Sequence, residues 1–384
     1  MAGFSPDDRI LLQVSRAADD VRRGVPVIVT APDGHLLVLP LELADGSALS
    51  LFDDLAAAVA LGGNSHGDSF LILTDRRAEA LAVAHKGRRA VRVARSRWLT
   101  GADMRTLADP LADLAHPFQG PFTRLEADPL KAEAPLADRA ALKLIKVARL
   151  LPAALAVPVA DAALAADGLL GDMMRVAAAD VLEMDTLQAR RLTRAASAHV
   201  PLQAAADVRL IAFRPITGGV EHIAILVGDP SPAMPVLTRL HSECFTGDLI
   251  GSLKCDCGDQ LKGAIKAIKA AGGGVVLYLA QEGRGIGLLS KLKAYGLQDQ
   301  GYDTVDANTR LGFDADERIF APAALMLDNL GFSQVRLMTN NPEKVAGLER
   351  LGITVTERVP HAFPTNPHNQ GYLDTKKRRS GHLL

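Results

Sequence analysis

The sequence predicts a mixed α/β chain of two domains, and three observations carry that reading. Short apolar runs rich in Val, Ile and Leu alternate with segments of helical periodicity. Glycines and prolines punctuate these segments at the places where strands and helices end. At about Val208 an alanine-rich first half gives way to a second half rich in strands and glycine turns. A length of 384 residues suits two or three domains of roughly 100–200 residues each. The expected boundary lies at 205/206, giving domains 1–205 and 206–384.

In the first half, residues 14–23 read as a helix ended by Gly24, and 25–30 as a strand. Pro32-Asp33-Gly34 reads as a turn into a second strand over 36–39, and 70–74 as a third, followed by a helix rich in Ala, Arg and Glu. Residues 117–135 have the prolines and glycine of an irregular linker. Helical periodicity returns over 140–151 and again over 186–199, just before Pro201. In the second half, 208–213 and 222–227 are strands around Gly218-Gly219, and 235–240 is a strand leading into the cysteines. An amphipathic helix over 260–271 carries Leu261, Ala264, Ile265 and Ile268 on one face, with Gly272 past its end. A buried strand follows at 275–279, then helices at 288–297 and 319–330, and a βαβ unit from 335 to 356.

Composition narrows the function classes. With 43 Lys+Arg against 44 Asp+Glu, the formal charge of −1 gives no basic field for a nucleic-acid polymer. The most apolar stretch, 150–174, is broken by Pro152, Pro158, Asp161, Asp167 and Asp172, so it reads as buried helix and loop. A membrane span would need about 20 nearly uninterrupted apolar residues. The opening residues lack a basic segment followed by an apolar one, so the expected location is the cytoplasm. The basic stretch Lys376-Lys-Arg-Arg379 reads as a solvated tail, since no aromatic residue interleaves with it.

All 3 cysteines fall in one window, at Cys244, Cys255 and Cys257. An odd number is a poor disulfide framework, whereas three thiolates suit a zinc ion with a fourth position left for water. His241, three residues before Cys244, either fills that fourth position or orients the loop; buried apolar thiols are the plainer alternative. After the 275–279 strand comes Gln281-Glu-Gly-Arg-Gly-Ile-Gly287, a glycine run opening a helix. Such a run brings backbone N–H groups to an anion or is simply a tight turn. Asp314-Ala-Asp316-Glu317-Arg318 precedes a helix and reads equally as a charged first turn or a catalytic cluster. Thr339-Asn-Asn-Pro-Glu-Lys344 stands at a strand end, where α/β sheets bind ligands. Together these groups suggest metal-assisted hydrolysis of a phosphorylated substrate.

Read as whole motifs, Arg239-Leu-His-Ser-Glu-Cys-Phe-Thr-Gly-Asp248, Lys254-Cys-Asp-Cys-Gly258 and Gln281-Glu-Gly-Arg-Gly-Ile-Gly-Leu288 closely resemble GTP cyclohydrolase II. So do Ala294-Tyr-Gly-Leu-Gln-Asp-Gln-Gly-Tyr-Asp-Thr304, Leu311-Gly-Phe-Asp-Ala-Asp-Glu-Arg318, Thr339-Asn-Asn-Pro-Glu-Lys344 and the closing Tyr372-Leu-Asp-Thr-Lys…Gly381-His-Leu-Leu384. The resemblance runs in order from about Val208 to the C-terminus. It implies an enzyme that opens the imidazole ring of GTP, releasing formate and pyrophosphate, as the first step toward riboflavin.

By the same resemblance, Cys244, Cys255 and Cys257 hold one Zn2+ per chain and Mg2+ accompanies the GTP triphosphate. Arg318 is the nucleophile at the α-phosphate, or stabilises its transition-state charge, with Asp316 as proton acceptor. Tyr295 serves proton transfer or orientation. Arg239, Leu240, His241, Ser242, Glu243, Gln260, Glu282, Gly283, Arg284, Thr304, Thr339 and Lys344 match the GTP-contacting positions. The family is usually dimeric, which implies a homodimer. Ala280 stands where the family commonly has Arg. Two rivals are a paralogue acting on another nucleotide or pyrimidine derivative, and a zinc-stabilised binding protein without turnover. Intact Tyr295, Asp316 and Arg318 favour the cyclohydrolase over the first; four protein ligands on the metal would favour the second.

The first half resembles dihydroxybutanone phosphate synthase, in Ala17-Ala-Asp-Asp-Val-Arg-Arg-Gly-Val-Pro-Val-Ile-Val-Thr30 and again over 142–154. That synthase needs an acidic loop for magnesium, and here the chain offers only Ala31-Pro-Asp-Gly-His-Leu36. Near Ala137-Asp138, where the synthase pattern has a His, there is none. One carboxylate cannot both hold a divalent ion and take a proton. The expectation is a degenerate, inactive α+β domain ahead of an α/β cyclohydrolase domain.

Overall fold

The computed structural model describes residues 4–59, 68–83, 89–116, 120–125, 133–165 and 170–363. The closing Tyr372–Leu384 motif, the basic stretch 376–379 and parts of the 117–135 linker lie outside them. The fold is mixed α/β, with two seven-stranded sheets. Two compact units are present. One is Met1–Met184 with Leu292–Tyr302 and Asp306–Asp316; the other is Asp185–Lys291, Asp303–Val305 and Glu317–Leu384. The division at 184/185 falls upstream of the composition change at Val208.

The first unit opens with the helix Pro6–Arg22, started by a reciprocal cap in which Ser5 and Asp8 satisfy each other's backbone N–H groups. Its buried stripe is Leu11, Val14, Ala17, Ala18 and Val21. The sheet contains β1 (Val27–Thr30), β2 (His35–Pro40), β3 (Phe70–Thr74), β4 (Ala90–Ala94), β5 (Arg124–Leu125), β6 (Ala153–Val159) and β7 (Arg175–Ala177). Its order is β5-β4-β3-β6-β2-β1-β7, antiparallel throughout except for β1 with β7. The helix Leu136–Val147 buries Ala140, Ala141, Leu144 and Ile145. One expectation fails here: residues 153–159, read as part of buried helix and loop, form β6 between β3 and β2. A short apolar run has no periodicity that separates a central strand from a buried helix.

The second unit contains β8 (Leu192–His199), β9 (Val208–Pro215), β10 (His222–Val227), β11 (Val236–Ser242), β12 (Gly274–Leu279), β13 (Gln334–Met338) and β14 (Thr354–Val359). Their order is β14-β13-β11-β12-β10-β9-β8. The first four run parallel and the last three alternate. A second expectation fails at β8. The helix expected over 186–199 ends at Arg190, and Leu192–His199 pairs with β9 as an exposed edge strand. Alanine favours helix only weakly, and a ladder of backbone bonds to β9 overrides it. One face of this sheet packs Leu240, Leu277 and Leu337 against Ala323, Leu327 and Leu348. The other packs Leu237 and Val276 against Ala264, Ile265 and Ile268 of the helix Cys257–Ala270.

Parallel β11, β12 and β13 all end at one edge of the sheet. That edge delivers Ser242–Cys244, Gln281–Arg284 and Thr339–Lys344 together. It is where open α/β sheets place ligand sites.

Candidate metal centre

The chain leaves β11 at Ser242 and winds into a wide helical turn, Phe245–Leu249, whose amide Gly247 N–H donates to Cys244 Sγ at 3.3 Å. Cys255 and Cys257 return at the start of the helix Cys257–Ala270. The three sulfurs lie within 4.8 Å of one another, with Cys244 and Cys255 at 3.7 Å. No disulfide joins them. Hydrogen bonds from Cys255 and Cys257 hold the Cys244 thiol far below its ordinary value, and the same bonds push those two thiols up. Without an ion the trio thus favours a single thiolate, and a divalent cation would displace the remaining protons.

The backbone has been cleared for this cluster. A Cβ added at Gly247 would lie 2.6 Å from Cys255 Sγ and 3.1 Å from Cys244 Sγ; at Gly258 it would lie 2.3 Å from the Gly247 carbonyl oxygen. Only glycine fits at either point. Donor type, spacing and cradle all fit a thiophilic ion such as zinc.

His241 is not part of this group. Its Nε2 meets Asp248 at 3.0 Å, and its ring stacks on Tyr278 with centroids 5.5 Å apart. Asp248 also accepts from Cys244 N–H at 3.0 Å and from the Tyr278 hydroxyl at 3.0 Å. Burial pushes His241 toward the neutral form, and Asp248 opposes this. The Asp248 contact ties His241 to the loop that carries Cys244.

Arg239 points to the same face, donating to Met338 O at 2.9 Å and to Gln260 Oε1. Burial lowers its pKa to about 10, against the opposing pull of Cys257 and Asp256. Its Nε and the Oε1 of Gln281 are buried polar atoms without a hydrogen-bond partner among the described residues. Such atoms are costly unless a ligand or water meets them. Leu240 turns its side chain into the core, and its carbonyl oxygen accepts from the buried Lys344 Nζ at 2.7 Å. Thr339 Oγ1 accepts from Asn341 N–H. Ser242 Oγ lies 3.5 Å from Arg318.

The glycine run forms the second wall. Gly283 and Arg284 are both left-handed, at φ 64° and 61°, and Gly285 follows at 96°. The loop's own groups hold this turn: Gly283 N–H donates to Glu282 Oε1, Gly285 N–H to the Gln281 carbonyl and Gly287 N–H to the Glu282 carbonyl. A Cβ at Gly285 would come 2.9 Å from the Glu317 backbone, so this close approach requires glycine. Glu282 is buried, accepting from Phe245 N–H at 2.6 Å and from Lys291 Nζ at 2.8 Å.

The expected residues therefore divide. Arg239–Glu243, Gln260, Glu282–Arg284, Thr304, Arg318, Thr339, Lys344 and the thiols belong to the second unit; Tyr295 and Asp316 fall in segments grouped with the first. Lys291, whose ammonium lies 3.1 Å from Cys244 Sγ, was missed. Its only sequence signal is a lysine one turn into a helix, indistinguishable from a surface residue.

A family model for GTP cyclohydrolase II matches residues 193–360. A GTP cyclohydrolase-2 of Azospirillum brasilense is 46% identical over 387 residues, covering 98% of this chain and 95% of that one. A GTP cyclohydrolase-2 of Cronobacter sakazakii is 53% identical over 194 residues, which is 98% of its length but 50% of this chain. A solved two-domain 3,4-dihydroxy-2-butanone 4-phosphate synthase from A. baumannii covers 91% of the chain at 16% identity with a TM-score of 0.33, too slight a likeness to carry argument. The Azospirillum alignment runs through both halves, and with the thiol cluster, glycine loop and strand-end motifs inside the matched region, the chain belongs to the GTP cyclohydrolase II family.

Proposed function

We propose that the chain hydrolyses the imidazole ring of GTP, releasing formate and pyrophosphate and leaving a diaminopyrimidinone ribosylamino phosphate, the first step of riboflavin biosynthesis. The observation that carries this is the cleared three-thiol cluster at the carboxyl edge of β11, in a chain of this family. Cys244, Cys255 and Cys257 would hold zinc, which lowers the pKa of a water toward about 7 and so supplies hydroxide at neutral pH.

The chain's own groups bind and orient. Arg239 and Gln281 offer buried polar atoms without a hydrogen-bond partner among the described residues, and the Arg284 guanidinium is a fork suited to phosphate, a role that rests on the motif resemblance. Gln260, Thr304, Thr339 and Lys344 complete the nucleotide contacts. Arg318 acts at the α-phosphate, and Asp316 and Tyr295 handle protons; these three roles rest on the motif resemblance. Mg2+ accompanies the triphosphate, whose clustered charge needs neutralising. The working form is a cytoplasmic homodimer, and no helix among the described residues is long and apolar enough to cross a membrane.

The first half carries no synthase chemistry in this reading. Asp33 accepts from Leu136 N–H at 2.6 Å, His35 bridges Ala31 N–H and Asp161, and Asp138 is paired bidentately with Arg92 at 2.7 Å. Those groups are spent on structure. Ribulose 5-phosphate should pass through unchanged, and any conversion by the purified chain would end this part of the reading.

Incubation with GTP and Mg2+, following formate, pyrophosphate and the pyrimidine together, tests the activity. Matched release, lost in Cys255→Ser along with bound zinc, is the expected result. Pyrophosphate without formate would mean that the phosphate chemistry works while ring opening fails, pointing to a vacant zinc site or a paralogue, and no turnover by zinc-replete protein would remove GTP as the substrate.

A further inference from the structure

Two loops meet at one buried lysine. Lys291 stands one turn into the helix Leu288–Asp299, with its ammonium 3.1 Å from Cys244 Sγ, 2.8 Å from Thr246 Oγ1 and 2.8 Å from Glu282 Oε1. Cys244 and Thr246 belong to the thiol loop after β11; Glu282 opens the glycine loop after β12. Glu282 closes the stitch from the other side, taking Phe245 N–H of the thiol loop at 2.6 Å and Gly283 N–H of its own loop at 3.1 Å. The lysine stem also underlies the glycine run, since a Cβ at Gly283 would lie 3.1 Å from Lys291 Cβ. Both side chains are about nine-tenths buried. A buried ammonium is tolerated only when well paired, and here its partners include a thiol, a hydroxyl and a carboxylate.

We propose that Lys291 is a positioning residue which, with Glu282, locks the glycine loop to the thiol loop, so that metal binding and nucleotide binding are coupled. The inference rests on the reading of the thiols as a zinc site and of the glycine loop as a GTP contact. Three thiolates around a divalent cation carry one net negative charge, and the Lys291 ammonium offsets it while fixing the direction of Cys244. The Glu282 carboxylate acts through the loop it holds, with both oxygens committed inside the protein.

The test uses the full chain as wild type, Lys291→Met, Lys291→Arg and the double variant Glu282→Gln/Lys291→Met, which removes both charges and guards against misfolding from an orphaned carboxylate. Zinc affinity is measured by chelator competition, the thiolate-to-metal absorption after Co2+ substitution, and binding of a non-hydrolysable GTP analogue with and without zinc. In wild type, zinc should strengthen analogue binding. Lys291→Met and the double variant should bind zinc roughly 10–100-fold more weakly, shift the Co2+ absorption and lose most of the zinc effect on the analogue. Lys291→Arg should restore part of both. If Lys291→Met fails to fold, the double variant decides. Unchanged zinc affinity and unchanged coupling in the folded variants would overturn the clasp. A wild type that holds no zinc at the thiols, or no analogue, would instead overturn the underlying reading and the clasp with it.

Discussion

The two sheets treat buried charge in opposite ways. In the first unit, Arg92 closes bidentately on Asp138, Arg95 on Asp53 and Arg77 on Asp113. Each is a fork-to-carboxylate pair joined by two N–H···O bonds. At the carboxyl edge of β11 Lys291 closes on Glu282, but other buried groups converge without closing. Three thiols share protons they cannot share equally, and Arg239 and Gln281 keep buried atoms unpaired. Closed pairs hold a fold together, whereas converging, unfinished groups mark where something else is meant to bind. Arg95, whose Nε is also unpartnered, shows that one such atom alone is not a site.

Breaking a closed pair should therefore cost stability and leave the metal alone. Arg92→Met strands Asp138, whose side chain is 1% exposed and whose carboxyl pKa is already raised by burial. The expected loss is about 3–5 kcal/mol, read from urea unfolding, with zinc content per folded chain unchanged. Loss of zinc in folded Arg92→Met protein would show that the contrast between the units is false. Disturbing the unfinished cluster should do the reverse. Gly247→Ala drives a methyl group to 2.6 Å from Cys255 Sγ. Zinc should bind roughly 10–100-fold more weakly, by analogy with loss of a supporting group around a metal, in protein that still unfolds cooperatively in urea without the metal. An unchanged zinc affinity would mean that the loop yields to the added methyl group and that the clearance at Gly247 does not serve the metal.

What the sequence showed follows the same contrast. The thiol cluster was legible because cysteine is rare here and its chemistry is specific, even across the loop separating Cys244 from Cys255. Strands β9 to β13 were legible because their apolar runs are long and bounded by glycine or proline. Strand β8 was not, because Leu-Thr-Arg-Ala-Ala-Ser-Ala-His carries helical composition and becomes a strand only through its partner. Lys291 was not, because its role depends on three partners drawn from two loops. Ion pairs such as Arg92 with Asp138 were equally hidden, since 46 residues separate the partners.

The smallest expected effect concerns a group that belongs to neither class. His222 is buried on β10 and accepts from Ala280 N–H at 3.1 Å, where the chain turns from β12 toward the glycine loop. Burial lowers its pKa to about 4. The folded protein therefore excludes a proton that the unfolded chain binds below its ordinary value of about 6.5. The stability linked to His222 is fully present above that value and is lost as pH falls toward 4. Between pH 7 and 5.5 the loss should be about 1 kcal/mol. His222→Asn keeps an acceptor near Ala280 and removes the titration, so its urea midpoint, measured on metal-free protein, should fall less over that range than that of wild type. Equal slopes would mean that His222 admits its proton without cost, and that the wall beneath the glycine loop is wetter than its burial implies.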